Sequence, residues 1–318
     1  LSKFINLKKL NCTNNKITCI TNAPWCLEYI NCSNNQISYL TSLQSNTLKV
    51  IKYTSNPIIR MVYPINSKIE EFPETLTDLT LTNNFNQPID NLPNTIKKLI
   101  LKDKFNQPIN NLQPVACTKC NRGCTCYPNS ITELHLSGNF NQPIDNLPNS
   151  ILELYLYGAF NQAINNLPNS IILLRLGDDF NKPIDYLPSS IIELSIGDSF
   201  NQSINCLPNS ITILKLGNGF NQPIDSLPNL LVSLEIKKNF NQPIDNLPAS
   251  LITLKIYGIF NQSIDNLPDS ITNLELGLKN FNLQVNKLPN SIQKISFSVF
   301  FDLTNYFPFE YKNMISFY

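Results

Sequence analysis

The chain has 318 residues, of which 42% are hydrophobic and 15% charged, and its formal net charge is +1. This hydrophobic content is sufficient for an extended core, and the near-neutral charge gives no general attraction to nucleic acid. No run of about 18 uncharged apolar residues is present, so we expect no transmembrane helix. Residues 1–10 lack the basic start and apolar run of a signal peptide, and because no initiator Met is present we expect Leu1 to lie inside a longer chain.

The N-terminal segment carries the spacing of an ordinary leucine-rich repeat, in Leu7, Leu10, Cys12, Asn15 and Ile17. The same pattern starts again at Leu27 and at Leu48. We therefore assign residues 1–71 to general leucine-rich repeats. Cys12 and Cys32 occupy inward strand positions where later coils have Leu or Ile, so we interpret both as core residues rather than metal ligands.

A step of 28 residues leads from Leu48 to the next strand start, Leu76, and from there a period of 20 residues dominates. The unit reads Phe-Asn-Gln-Pro-Ile-Asp-Asn-Leu-Pro-Asn-Ser-Ile, then x-x-Leu-x-Leu. Its phenylalanines are Phe85, Phe105, Phe140, Phe160, Phe180, Phe200, Phe220, Phe240, Phe260 and, one residue late, Phe281. This period lies at the short end of the range for leucine-rich repeats.

One unit shows how each coil is expected to fold. Leu154 and Leu156 point inward from a short strand, and Tyr155 between them points outward. Phe160 and Ile164 fill the next layer of the core. The two prolines of most units fix φ and leave little room for a helix on the return side. We predict a leucine-rich-repeat-like solenoid of about fourteen coils, with one long parallel β-sheet and little α-helix.

An asparagine follows each of these phenylalanines, from Asn86 to Asn282. Turns contain backbone groups that would otherwise have no hydrogen-bond partner. We predict that these side-chain amides form a ladder, in which each one bonds backbone groups of its own and of neighbouring coils.

The motif Phe-Asn-x-Pro-Ile-x-x-Leu-Pro resembles the FNIP repeat, and ten copies, some without the first proline, extend from about residue 72 to residue 292. We assign residues 72–296 to FNIP repeats. The resemblance implies a protein of social amoebae or of the giant viruses that infect amoebae. In this family the repeats often follow an F-box, which joins a cullin–RING ubiquitin ligase. No F-box is visible in the sequence, so the resemblance implies this role only if one lies upstream.

An insertion of fifteen residues, 113–127, interrupts the unit that follows Leu112. It contains Cys117, Cys120, Cys124 and Cys126, and four thiolates within so short a segment can surround one zinc ion tetrahedrally. The Cys-x-Cys half is tighter than usual for zinc, so disulfides or free thiols remain the alternative to a structural zinc site. We expect no other cofactor.

The C-terminal segment, residues 297–318, breaks the repeat and is rich in Phe and Tyr. We interpret it as a cap over the open core of the last coil, and the alternative is a docking peptide for another subunit.

The sequence does not indicate an enzyme. Its single histidine, His135, lies between Leu134 and Leu136, faces outward and has no acidic or nucleophilic partner that the sequence indicates. Only nine glycines are present, and no Gly-rich phosphate loop is found among them.

The outward strand positions are the predicted binding surface, because they vary between units whose core positions barely change. The candidates are His135, Tyr155, Tyr157, Arg175, Lys215, Glu235, Lys255, Tyr257 and Glu275. Tyr and Arg are frequent anchors of protein interfaces. We therefore predict a scaffold for a protein partner, in the cytoplasm of the cell or of the infected host; the alternative is a structural component of a giant-virus particle or surface.

Overall fold

The computed structural model of the chain describes residues 6–20, 23–41, 43, 47–66, 69, 71–89, 92–112, 130–278, 282–297 and 306–317. It divides into two compact units, Leu1–Phe160 and Asn161–Tyr318. The four cysteines of the insertion lie outside the described residues.

The first unit is built from short parallel strands: β1 (Lys9–Asn11), β2 (Tyr29–Asn31), β3 (Tyr39–Leu40), β4 (Val50–Lys52), β5 (Arg60–Tyr63), β6 (Asp78–Leu81), β7 (Lys98–Leu101), β8 (Glu133–Leu136) and β9 (Glu153–Leu156). Strands β1, β2 and β4 form a small sheet of their own. Strand β3 pairs with β5, and β5 to β9 then pair in chain order. A 3₁₀ turn lies at Asn110–Leu112.

The second unit continues the same design with β10 (Leu173–Leu176), β11 (Glu193–Ile196), β12 (Ile213–Leu216), β13 (Ser233–Ile236), β14 (Thr253–Gly258), β15 (Asn273–Leu278), β16 (Lys294–Phe297) and β17 (Ile315–Phe317). Each strand pairs in parallel with the next. A 3₁₀ helix, Phe309–Met314, precedes β17. Over the residues that the structure describes, no helix is long and apolar enough to cross a membrane. The prediction of a parallel β-solenoid with little helix is confirmed.

Alternation along each strand separates the core from the outer surface. Leu154 and Leu156 are fully buried, whereas Glu153 before them and Tyr155 between them are half-buried. We call the surface formed by the outward strand side chains the sheet face, and the segment from each Phe to the following Ser the return segment. Prolines prevent regular helix in the return segment. It closes instead with a tight turn, in which Ile151 N–H donates to Pro148 O at 3.3 Å.

The phenylalanines form a continuous stack inside each unit, as the sequence predicts. In the first unit Phe85, Phe105, Phe140 and Phe160 stack at 6.2 Å between ring centroids. In the second, neighbouring rings from Phe180 to Phe260 lie 6.0–6.2 Å apart. The rings are almost fully buried, so each one contributes apolar burial to two coil interfaces.

The asparagine ladder is also present. The Oδ1 atom of a ladder asparagine accepts a hydrogen bond from the backbone N–H of the asparagine one coil later, at 2.8–3.1 Å, at Asn86, Asn106, Asn161, Asn181, Asn201, Asn221, Asn241 and Asn261. The following glutamine often adds a second bond, as when Gln222 Nε2 donates to Asn201 Oδ1 at 3.1 Å. These side chains are exposed or half-buried, so the ladder runs along an edge of the coils and not through a buried turn.

A second ladder, of serines, was not predicted. Ser210 Oγ donates to the backbone carbonyl of Ile191 in the preceding coil at 2.7 Å. The same bond, at 2.6–2.8 Å, is made by Thr95, Ser130, Ser150, Ser190, Ser250, Ser270 and Ser291. The serine that precedes each isoleucine therefore links consecutive coils. Leu230 occupies this position in one coil and leaves it without a rung.

The start of the repeat array also differs from the expectation. The repeat spacing predicts no strand between Leu48 and Leu76, but β5 lies between them and pairs with β6. Its residues Met61 and Tyr63 take the inward positions of later leucines, and Tyr63 packs edge-to-face on Phe85 at 5.9 Å. The coil that joins the two kinds of repeat thus begins at Ile58, with Met and Tyr in place of Leu.

Tight contact between coils also explains a glycine at the strand exit. Gly158 has φ +63°, and a Cβ atom on it would lie 2.3 Å from the carbonyl oxygen of Gly138. Gly138 has φ +69° at the same position of the preceding coil. A side chain at Gly158 would therefore need both a left-handed backbone and space that the preceding turn occupies.

Candidate functional site

The sheet face of the first unit holds the aromatic candidates. The ring of His135 stacks on Tyr155 at 4.0 Å between centroids, with the planes inclined by 14°. Tyr155 and Tyr157 are 6.1 Å apart and tilted by 47°. Tyr155 therefore also supports a neighbouring coil, because its stacking partner belongs to the preceding strand.

Charged groups surround these rings. Glu133 Oε1 lies 2.6 Å from His135 Nε2 and 2.5 Å from Lys98 Nζ, and Tyr155 OH donates to Glu153 Oε2 at 2.8 Å. Glu133 and Glu153 are register partners, an arrangement that is unfavourable for two like charges. The cation of Lys98 offsets this repulsion. His135 therefore does have an acidic partner, Glu133, which strand alternation places two residues before it.

These contacts shift two pKa values. Burial, the largest influence on His135, lowers the pKa of its imidazole, and the hydrogen bond to Glu133 opposes that shift only in part. Burial by itself raises the pKa of Glu133, but hydrogen bonds from Lys98 and His135 outweigh it, so the pKa of this carboxyl is lowered. The pair therefore favours a neutral imidazole beside a carboxylate.

Two cationic candidates of the second unit, Arg175 and Lys255, form ion pairs with a glutamate on the next strand. Arg175 Nη2 donates to Glu193 Oε1 at 3.0 Å. Lys215, Glu235, Lys255 and Glu275 are successive register partners on strands β12 to β15. Glu275 accepts from Lys255 Nζ at 2.8 Å and from Tyr257 OH at 2.7 Å. The register thus brings together residues that stand one period apart in the sequence.

The repeat units match a known family. The profile of the FNIP repeat matches residues 66–102, 85–113, 125–158, 160–199, 184–219, 200–238, 220–258 and 260–300. The chain belongs to the FNIP repeat family. This agrees with the resemblance drawn from the Phe-Asn-x-Pro-Ile motif.

Solved structures place this FNIP chain among leucine-rich-repeat proteins. CroV588, a protein of the giant virus CroV described as a novel circular leucine-rich-repeat structure, is 32% identical, with a TM-score of 0.55 over 89% of this chain. The FNIP chain spans about half (52%) of the CroV588 chain that it matches. An internalin, InlF of Listeria monocytogenes, is 16% identical, with a TM-score of 0.55 over 94% of this chain and 88% of its own, and shows the fold alone. No curated protein matches the sequence.

The described cysteines of the FNIP chain show how thiols are used away from the insertion. Cys32 is buried, as expected of a core residue, and burial raises the pKa of its thiol to about 12. Cys12 is half-buried and donates to Asn31 O at 3.5 Å. Over the described ranges, no group of three or more His, Cys, Asp or Glu side chains could hold a metal ion. Zinc at Cys117, Cys120, Cys124 and Cys126 stays a prediction, because those residues lie outside these ranges.

One charged residue of the sheet face, Lys98, is not among the candidates predicted from the sequence. Lys98 forms an ion pair with Glu133 and so offsets the repulsion between Glu133 and Glu153. A signal for it exists, because Lys98 and Glu133 occupy the same position of consecutive coils on either side of the insertion.

Proposed function

We propose that this FNIP array is a non-enzymatic scaffold that binds a protein partner through its sheet face. The supporting observation is that the amino acid varies between coils at the outward strand positions and hardly varies in the core. Core, phenylalanine and asparagine positions are nearly identical from coil to coil, while the half-buried outward positions change from His to Tyr to Arg to Lys to Glu. A leucine-rich-repeat fold commonly presents such a surface to another protein.

The experiment compares two triple variants of matched chemistry. The sheet-face variant carries Tyr157→Ala, Lys215→Ala and Glu235→Ala. The return-segment variant carries Tyr186→Ala, Lys182→Ala and Asp225→Ala, and so removes one aromatic, one cation and one carboxylate as well. Each is used as bait in amoebal lysate, and captured proteins are identified by mass spectrometry.

We expect the sheet-face variant to lose the partners that the wild type captures and the return-segment variant to keep them. A melting curve for each variant checks that the fold is intact. Retention of every partner by a folded sheet-face variant would assign recognition to another surface.

The finer form of the proposal is that the scaffold is the substrate receptor of a ubiquitin ligase. It rests on the family resemblance alone and requires an F-box upstream of Leu1. Co-purification of the full reading frame with a cullin–RING ligase tests it, and a reading frame that encodes no F-box would contradict it.

A second candidate is a component of a giant-virus particle or surface, and it assumes that this chain, like CroV588, is encoded by a giant virus. Mass spectrometry of purified particles tests this role. Abundance in particles comparable to that of capsid proteins would support it, whereas detection only in host cytoplasm would support the interaction scaffold.

A further inference from the structure

The sheet face of the second unit contains a groove of about 240 Å³ across strands β14, β15 and β16. Its polar lining comes from Thr253, Lys255, Asn273, Glu275, Lys294 and Ser296. Two ammonium groups, an amide and two hydroxyls thus face one carboxylate. Hydrogen-bond donors are in excess in this groove.

That one carboxylate is already engaged. Glu275 accepts from Lys255 through Oε2 and from Tyr257 through Oε1, so each of its oxygens has a donor. Lys294 is exposed on the neighbouring strand and forms no ion pair with any residue that the structure describes. The groove therefore holds one more cation than its own carboxylate neutralises.

The charge around the groove has the same sign. Strands β12 to β16, with the turns that directly follow β12, β13 and β14, carry the lysines Lys215, Lys237, Lys238, Lys255 and Lys294, against Glu235 and Glu275. From β12 onward the described aspartates lie instead on the return segments, at Asp225, Asp245, Asp265 and Asp269, and none of them forms an ion pair with a described residue. Asp178, Asp179 and Asp198 lie in the turns that follow β10 and β11, before this part of the sheet. The near-neutral net charge of the chain thus conceals an excess of lysine over glutamate on strands β12 to β16 and these turns.

We propose that this groove binds a glutamate or aspartate side chain of the protein partner, with Lys294 as the principal contact and Thr253 and Asn273 as hydrogen-bond donors. The proposal rests on the proposed function and names the chemistry of its partner, an acidic segment. A segment that crosses β14 to β16 spans about 10 Å, or about three extended residues. A peptide is favoured over nucleic acid because Glu235 and Glu275 interrupt the lysines and would repel a continuous phosphate backbone.

The test uses purified protein and a fluorescent peptide of about eight residues that alternates Glu and Gly, followed by fluorescence polarisation. Lys294→Gln should raise the Kd about tenfold, the loss expected for one charge-assisted hydrogen bond. Lys287→Gln is the matched control: it removes the same charge from an exposed site on the return segment just before β16 and should leave the Kd unchanged. Glu275→Gln should lower the Kd several-fold, because it releases Lys255 and still accepts from Tyr257.

The tightening in Glu275→Gln is a result that a purely structural role would not produce. Equal effects of Lys294→Gln and Lys287→Gln, or equal binding of a peptide with Gln in place of Glu, would overturn the proposal. A single-stranded oligonucleotide that competes more strongly than the peptide would assign the face to nucleic acid instead. If the peptide fails while the sheet-face variant still loses its captured partners, this inference is wrong and the proposed function stands.

Discussion

Phe200 offers the most direct measure of how coil packing stabilises the second unit. Its ring is fully buried and lies 6.2 Å from the rings of both Phe180 and Phe220. Truncation in Phe200→Ala opens a cavity between three coils and removes two aromatic contacts. The expected cost is about 3–5 kcal/mol of unfolding free energy.

Ser195→Ala is the control, because Ser195 lies on the sheet face of the strand directly before this ring. It is half-buried, and its removal should change the unfolding free energy by no more than about 0.5 kcal/mol. Urea unfolding gives both values from the shift in midpoint, and thermal melting should place Phe200→Ala about 6–20 °C below the wild type. Equal shifts in the two variants would refute the assignment of phenylalanine to the layer between coils.

Three further predictions concern the serine ladder, the asparagine ladder and His135. Leu230→Ser should raise the free energy of unfolding by about 0.5–1.5 kcal/mol, because the new hydroxyl can donate to the backbone carbonyl of Ile211, as Ser210 does to that of Ile191. An unchanged urea midpoint would contradict this. Asn221→Ala should cost about 1–2 kcal/mol of unfolding free energy, since Asn241 N–H loses its acceptor and the amide of Gln242 keeps only the backbone carbonyl of residue 221; a midpoint like that of wild type would show that water replaces the rung. Because the pKa of His135 is lowered in the folded state, the unfolded chain binds this proton more readily, so stability falls as pH drops through about 6.5; His135→Gln should lose that component of the pH dependence.

Much of the fold could be predicted because hydrophobic spacing is a local property. Leu154, Leu156 and Phe160 recur at a fixed period, and period alone places them inside a coil. The offset at the start of the array could not be predicted in the same way. Met61 and Tyr63 depart from the leucine pattern by which the other strands are recognised. The pairing of strands in this region also depends on the path of the chain in three dimensions.

The candidate surface was predictable as a set of positions but not as a set of contacts. Alternation shows that His135 and Tyr155 face outward, but their stacking depends on the register between coils and on side-chain rotamers. The serine ladder could not be predicted from the sequence for a different reason. Ser-Ile in a turn is common, and only the neighbouring coil's carbonyl gives Ser210 its role.

The first-unit ladder has a consequence for how such arrays grow. Asn141 N–H donates to Asn106 Oδ1 at 2.9 Å, the distance at which Asn106 N–H donates to Asn86 Oδ1, although fifteen additional residues, 113–127, separate the first pair. Strands β7 and β8 likewise keep the register of their neighbours. The hydrogen bond between ladder asparagines therefore keeps its length whatever the number of residues between them. A gene of this kind can acquire new segments at that corner while its coils stay aligned, and the same corner of any other coil is a place where a foreign peptide could be spliced in for display.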